Sequence, residues 1–164
     1  MQHPEITAYR PCVGIMLLNA KGQVWIGRRF AKQNDDGVGK FWQMPQGGVD
    51  EGEDLLAAAK RELHEETGIT SARLLAQSTD WHTYDLPPDL LGKSWKGKYR
   101  GQKQKWFVLR FEGGENEITL KVPGHSQEFD AWRWADWPEL LEVIVPFKRA
   151  VYETVLEEFR AFAP

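Results

Sequence analysis

Apolar residues along the chain fall into short runs that turn residues separate. Four of these runs predict strands, at residues 13–18, 23–26, 105–111 and 128–134. The turn residues 19–22 join the first two runs, which predicts a hairpin. Alternation within the last run places Trp132 and Trp134 on one face of its strand. Residues 34–39 are polar and predict a loop.

Two segments predict helices. Residues 55–67 contain neither Gly nor Pro, Asp54 is suited to cap the helix N-terminus, and Gly68 suits a left-handed helix end. A last helix is predicted to carry Pro146 in its first turn. Its apolar positions follow a helical spacing: Phe147, Val151, Val155, Phe159 and Phe162. Because strands and helices interleave without a repeat or a linker, residues 1–164 are predicted to form one mixed α/β domain.

Composition narrows the class of protein. The 41% hydrophobic and 27% charged content, with eight Trp in 164 residues, is typical of a globular chain rather than a disordered one. A net charge of -3 argues against a general nucleic-acid coat or a membrane-surface protein. Cys12 is the single cysteine, which excludes an intrachain disulfide and favours a reducing, cytoplasmic location. We expect neither a signal segment nor a membrane span.

The total charge conceals a segregation along the chain. Residues 47–69 hold seven acidic side chains against two basic ones, whereas residues 93–105 hold six basic side chains and no acidic one. This arrangement suits an enzyme that holds divalent cations in one place and anionic phosphates in another.

The acidic segment contains candidate metal ligands. On a helix, Glu62, Glu65 and Glu66 fall within about a third of the circumference, and the arc overlaps the apolar stripe. Carboxylates at the edge of a core are costly unless a cation neutralises them, and oxygen ligands favour Mg²⁺ or Mn²⁺. The glycines Gly47 and Gly48 permit a tight turn that brings a main-chain carbonyl to the same metal. The alternative is a solvated acidic face that only keeps the protein soluble.

Residues 47–69 resemble the signature of the Nudix family. This Nudix box runs Gly, five residues, Glu, seven residues, Arg-Glu, an aliphatic residue, any residue, Glu-Glu, any residue, Gly and an aliphatic residue. Every position is filled here: Gly47, Glu53, Arg61, Glu62, Leu63, Glu65, Glu66, Gly68 and Ile69. A match at nine positions is highly specific.

The resemblance covers nearly the whole chain. It is to the branch that contains bacterial RNA 5′-pyrophosphohydrolases and plant-type dinucleoside tetraphosphate hydrolases, and it includes residues 9–14, 41–48, 101–107, 128–134 and 146–149. It implies the Nudix fold, an α/β/α sandwich with a mixed central sheet, in which the box forms a loop–helix–loop catalytic element.

The resemblance also implies metal-assisted hydrolysis, with Mg²⁺ as the cofactor and Mn²⁺ or another divalent cation as a substitute. Glu62 and Glu66 would be core metal ligands, Glu65 would share the metal or act as general base, and Glu128 would be a further carboxylate from outside the box. The box arginine, Arg61, is implied to hold a glutamate in place rather than to touch substrate.

Substrate contacts are implied at five positions: Arg10 for phosphates, and Arg29, Tyr84, Phe147 and Lys148 for bases. We expect Tyr84 to be exposed in a loop beside residues 86–88, whereas Phe147 suits a base contact and a core position equally. Lys103 and Lys105 alternate with Gln102 and Gln104, so one pair is expected to face the cleft and the other solvent. A solvated edge strand is the alternative for the two lysines.

The implied activity is that of a pyrophosphohydrolase of 5′-polyphosphorylated nucleotide ends. It would remove pyrophosphate from 5′-triphosphate RNA, split diadenosine tetraphosphate into ATP and AMP, or do both, with no membrane and no obligate protein partner. Residues 34–40 and 92–101 are expected to carry the difference between these substrates. One alternative is a catalytically silent nucleotide-binding Nudix sensor, which the complete set of box glutamates disfavours. Another is a nucleotide-pool-cleaning NTP pyrophosphatase, which would not need the lysine-rich segment.

Overall fold

A computed structural model describes residues 8–30, 41–91 and 98–164. Its strands are β1 Tyr9–Leu18, β2 Val24–Arg29, β3 Trp42–Gln43, β4 Gln46–Gly48, β5 Ala72–Gln77, β6 His82–Asp85, β7 Gly101–Phe111 and β8 Phe129–Ala135. Its α-helices are α1 Leu55–Thr67, α2 Glu139–Val143 and α3 Arg149–Glu158. The predicted loop 34–39, the segment 34–40, and residues 92–97 with Lys93 and Lys96 lie outside the described residues.

Helix α1 begins and ends where the sequence predicts. Asp54 Oδ2 accepts a hydrogen bond from the Ala57 backbone N–H at 3.0 Å, which satisfies one of the free donors of the first turn. Gly68 adopts φ 74° and its N–H donates to the His64 carbonyl at 2.8 Å. The two caps fix the helix ends and therefore the position of the box glutamates.

The described strands form one mixed sheet. Strands β1 and β7 run parallel in its centre, with β2 antiparallel to the C-terminal end of β1 as the predicted hairpin requires. The short strand β4 pairs instead with the N-terminal half of β1. Strands β5 and β6 pair with the other edge of β7, and β8 pairs with β2. Strand β1 thus has two different partners along one of its edges, and the box begins beside its N-terminal half.

Each face of the sheet is covered by helices. On one face, Ala58, Ala59 and Leu63 of α1 pack against buried residues of β1 and β7. On the other face, Leu140 of α2 and Val155 of α3 pack against a second buried cluster. The predicted α/β/α sandwich is confirmed. None of the described helices has the length and apolar character needed to cross a membrane.

The structure also contains elements that the sequence analysis missed. Strands β3, β4, β5 and β6 and helix α2 were not predicted, and β7 begins four residues before the predicted strand. The last helix is divided: Pro146–Lys148 and Arg160–Phe162 form short 3₁₀ turns on either side of α3. Trp132 and Trp134 do share a face, with ring centroids 6.0 Å apart.

Candidate active site

The first box residue gives a close approach between sheet and helix. Gly47 in β4 pairs with Val13 in β1. A Cβ atom at residue 47 would overlap the carboxyl group of Glu62 from α1, closer than any real contact allows. Glycine at this position therefore lets the Glu62 carboxyl lie directly against the backbone of β4.

Arg61 holds the acidic loop and the helix together. Its Nε donates to Glu53 Oε2 at 2.8 Å and its Nη2 to Glu53 Oε1 at 2.9 Å, a bidentate pair. The same guanidinium donates to the Gly48 carbonyl at 2.9 Å and to Glu62 Oε1 at 2.9 Å. These four hydrogen bonds join the acidic loop, β4 and α1. They fit the structural role that the resemblance implies for Arg61 and Glu53.

Two carboxyl groups of α1, those of Glu62 and Glu66, are largely buried, and the charge of Glu128 also acts on Glu66. Glu66 is 8% exposed, and its burial, with the charges of Glu62 and Glu128, raises its pKa well above the usual value. Burial likewise raises the pKa of Glu62 to about 7, although Arg61 opposes the shift. The Gln46 backbone N–H bonds to the Glu66 carboxyl, but Oε2 of Glu66 has no hydrogen-bond partner in the described part of the chain.

These observations fit a divalent cation. A buried carboxyl group with one oxygen unpartnered among the described residues, in the field of two further carboxyl groups, is a costly arrangement that a hard cation relieves. Among the described residues, no three His, Cys, Asp or Glu side chains are already gathered into a coordination sphere. A bound cation would therefore draw the carboxylates together rather than enter a finished cage.

Glu65 lies on the more open side of the helix. Its side chain is 27% exposed and its Oε2 accepts from Arg61 Nη1 at 3.3 Å. Nδ1 of His125 lies 3.8 Å from Glu65 Oε1. No pattern in the sequence pointed to this histidine, which lies in the loop before β8. The contact brings the loop that leads to Glu128 against α1.

Two predicted arginines lie beside the carboxyl groups. Arg10 extends from β1 toward Gly48, where its guanidinium fills the space that a Cβ would need, and its charge weakly opposes the rise that burial causes in the pKa of Glu62. Arg29 Nη2 lies 3.9 Å from Glu128 Oε2. Arg29 therefore lies at the acidic cluster rather than with the other residues implied to contact bases.

Those other three residues form a separate group. The ring centroids of Tyr84 and Phe147 are 5.8 Å apart, and Lys148 Nζ lies 5.7 Å from the Tyr84 ring and 3.5 Å from Gln43 Oε1. The expectation that Tyr84 is exposed is wrong. It is 7% exposed, because it lies on strand β6 and points into the core. Phe147 is half-buried at the edge of the same core, and Lys148 is 5% exposed.

Lys103 and Lys105 point to the opposite side of β7 from Gln102 and Gln104. The two glutamines are each 2% exposed and are joined by a 2.8 Å hydrogen bond. Both lysines lie over the ring of Trp81. The structure thus separates the pairs as the alternation predicts, and it places the glutamines, not the lysines, on the side of Tyr84.

Sequence reasoning missed the amides along this side. Gln104 Nε2 donates to Gln46 Oε1 at 2.7 Å, and Gln46 lies next to Gly47. With Gln43 beside Lys148, these amides link the start of the box to the group of Tyr84, Phe147 and Lys148. Gln43, Gln46 and Gln104 lie in segments 41–48 and 101–107, which the family resemblance includes. The resemblance assigned no role to these glutamines.

Two relatives of known name match this chain over nearly its whole length. The chain is 56% identical over 167 residues to a protein of Brucella abortus (strain 2308) named RNA pyrophosphohydrolase, covering 99% of this chain and 94% of that protein. It is 59% identical over 160 residues to the RNA pyrophosphohydrolase of Agrobacterium fabrum, covering 95% and 94%.

Solved structures share the fold at low identity. A C. elegans Ap4A hydrolase in a binary complex aligns with a TM-score of 0.61 and 18% identity, over 92% of this chain and 96% of that one. The E. coli dihydroneopterin triphosphate pyrophosphohydrolase aligns with a TM-score of 0.65 and 20% identity, over 93% and 99%. The family described as the NUDIX domain matches residues 8–155. The chain is therefore a member of the Nudix hydrolase family.

Proposed function

We propose that the protein is a Mg²⁺-dependent pyrophosphohydrolase that removes pyrophosphate from the 5′-triphosphate end of RNA and leaves a 5′-monophosphate. The observation that carries the chemistry is the buried Oε2 of Glu66, which has no hydrogen-bond partner among the described residues and belongs to a carboxyl group whose pKa is raised by burial and by Glu62 and Glu128. The near-full-length relatives named RNA pyrophosphohydrolase support RNA as the substrate. We assign this activity to residues 1–164 as one catalytic domain, acting in the cytoplasm.

Nudix hydrolases generally use a divalent metal ion. We assign Glu62, Glu66 and Glu128 as its ligands here, with Glu65 and the main-chain carbonyl of Gly47 completing the set. An all-oxygen set favours Mg²⁺, with Mn²⁺ as a substitute. When bound, the cation withdraws charge from the phosphate oxygens and lowers the pKa of a bound water.

The protein's own groups supply proton transfer and alignment. Near the C-terminus of α1, Glu65 is more exposed than its neighbour Glu66. We therefore assign Glu65 as the general base that accepts the proton of the attacking water. We also assign catalytic roles to Glu62 and Glu128, which would hold the divalent cation that assists activation of the attacking water. Arg61 fixes the helix against the acidic loop, so the carboxyl groups keep their alignment during the reaction.

We assign the substrate contacts in two groups. Arg10 and Arg29, beside the carboxyl groups, face the polyphosphate, where a guanidinium offsets phosphate charge. Phe147 and Lys148 contact the first base, and the buried Tyr84 supports Phe147 from behind. Lys103 and Lys105 bind substrate farther from the reacting phosphates.

The test compares substrates under identical conditions. With Mg²⁺ present, kcat/KM is measured for a 5′-triphosphate RNA, diadenosine tetraphosphate and single NTPs, with identification of the products. We expect the RNA to be preferred and to yield pyrophosphate and a 5′-monophosphate end. Preference for diadenosine tetraphosphate would reassign the substrate within the family, and preference for NTPs would contradict the proposal. Glu142→Gln, an exposed glutamate on α2, is the matched control for variants of the box glutamates.

A further inference from the structure

Trp81, to which the proposed function gives no role, forms a compact surface with Lys103 and Lys105. Lys103 Nζ lies 4.8 Å and Lys105 Nζ 5.7 Å from the centroid of the Trp81 ring. All three side chains are half-buried, so each keeps part of its surface open to solvent. We call Trp81, Lys103 and Lys105 the Trp81 patch.

The sheet register relates this patch to the Nudix box. Val13 pairs with Gly47 on one side and with Lys105 on the other. Paired residues of neighbouring strands point to the same face, so Lys105 and the Gly47 position that faces Glu62 share one side of the sheet. Two strand spacings separate them, roughly 10 Å between backbones. The patch is therefore close enough to meet the same substrate molecule.

The loop that carries Trp81 is firmly held. Ser78 exchanges two hydrogen bonds with Trp106, at 2.8 and 3.0 Å. The Thr79 N–H and the His82 ring both bond to the carboxyl group of Glu158 on α3. Lys105 Nζ donates to the Thr79 carbonyl at 2.8 Å. A fixed indole binds a planar ligand with a smaller loss of conformational entropy than a mobile one.

In the part of the chain that the structure describes, no carboxylate pairs with the cations of the Trp81 patch. Within the described ranges, neither Lys103 nor Lys105 forms an ion pair with a carboxylate, and the nearest acid in sequence to Trp81 is the exposed Asp80. Trp42 provides the contrast, because the arginines over its ring, Arg28 and Arg133, are both paired with acids. An indole with two available cations combines the base-stacking and phosphate-binding groups of single-strand nucleic-acid sites.

We propose that the Trp81 patch binds the single-stranded RNA chain downstream of its 5′-terminal nucleotide, with a base against Trp81 and backbone phosphates at Lys103 and Lys105. This inference rests on the proposed function, since it requires RNA as the substrate. It separates two tasks: the box and the arginines act on the 5′-terminal phosphates, and the patch holds the chain that follows.

The test uses two substrates that share the same 5′ end. A 5′-triphosphorylated dinucleotide is too short to span both sites, whereas a single-stranded RNA of twenty nucleotides can reach the patch. Trp81→Ala and the double variant Lys103→Gln/Lys105→Gln are compared with Lys21→Gln/Lys121→Gln, which removes two exposed lysines elsewhere. Thermal unfolding of each variant reports whether its fold is kept.

We expect KM for the long RNA to rise about tenfold in Trp81→Ala, with kcat nearly unchanged and the dinucleotide unaffected. In the double variant, the slope of log KM against log salt for the long RNA should fall by about 1.4, the counterion effect of two lost cations. The control variant should match the wild type. Equal effects on both substrates, or none on either, would overturn this inference while leaving the proposed function intact. If the wild-type protein converts neither RNA, the proposed function itself fails.

Discussion

The carboxyl group of Glu62 occupies the space that a Cβ atom of residue 47 would need. Gly47 is held in that place by pairing with Val13, and Glu62 by the capped helix α1. The spacing between glycine and glutamate in the sequence therefore becomes a contact between strand and helix. Any side chain at residue 47 must push the carboxyl group away from β4.

Gly47→Ala should lower kcat/KM by about a hundredfold, since displacement of a reacting group by about 1 Å has an effect of that order. Mg²⁺ affinity should fall with it. Steady-state kinetics at several Mg²⁺ concentrations provide the measurement. Wild-type kinetics in a folded Gly47→Ala protein would show that close approach of Glu62 to the backbone is unnecessary.

Arg61→Lys should weaken the attachment of the acidic loop, because an ammonium group cannot replace the bidentate pair with Glu53. We expect a drop of a few degrees in Tm and about a tenfold loss in kcat/KM. Calorimetry and kinetics on the same sample provide the check. If both quantities stay at wild-type levels, Arg61 does not position the box.

The same pair predicts a pH dependence of stability. Hydrogen bonds from Arg61 lower the pKa of Glu53 to about 2 from an ordinary value of 4.5. Because the folded-state pKa is depressed, the stabilisation is present above pH 4.5 and is lost as the pH falls toward 2. Acid unfolding of Arg61→Lys should show a shallower loss across this window than the wild type. Identical acid profiles would argue against the pair as its source.

Glu66→Gln tests the link between stability and metal binding. Gln cannot carry the negative charge that burial and the charges of Glu62 and Glu128 disfavour at residue 66, so the metal-free variant should unfold at a higher temperature than the metal-free wild type. Mg²⁺ should raise the Tm of the wild type and leave that of the variant nearly unchanged. Thermal scans with chelator and with Mg²⁺ distinguish the two proteins. An equal Mg²⁺ response in both would remove Glu66 from the metal site.

The buried hydroxyl group of Tyr152 holds the backbone of Met44, which lies between β3 and β4, just before the box. Tyr152 OH accepts a hydrogen bond from the Met44 N–H at 2.8 Å, and Tyr152 is 4% exposed. Tyr152→Phe should destabilise the protein by about 1–3 kcal/mol, because the N–H loses its partner. Tyr9→Phe removes an exposed hydroxyl, bonded to Asp85, and should cost less. Urea unfolding gives both values, and the opposite order would contradict this view of Met44.

The local part of the fold could be predicted from the sequence. Helix α1 is defined by neighbours in the chain: the Asp54 cap, an uninterrupted helical run and Gly68. The acidic arc of Glu62, Glu65 and Glu66 follows from the helical repeat alone. The family resemblance then assigned metal binding to these glutamates. Membership of the family is confirmed.

The parts that depend on long-range pairing could not be predicted. Strand β5 has no alternation of apolar and polar residues, and its position depends on β7, which follows it by more than twenty residues. Tyr84 is buried because β6 pairs with β7 and turns the ring toward the core. Alternation predicted that Lys103 and Gln102 point to opposite faces of the sheet. Which of the two is buried depends on the pairing of β7 with β1 and β6.

Binding of the divalent cation by the box glutamates is the assignment on which the proposed hydrolysis of a 5′-polyphosphate depends. Its most direct test is the rate of pyrophosphate release from 5′-triphosphate RNA by Glu62→Gln at saturating Mg²⁺, beside the wild type and Glu142→Gln. We predict a loss of at least about a hundredfold in kcat for Glu62→Gln and none for the control. Turnover by Glu62→Gln near the wild-type rate would contradict the metal assignment.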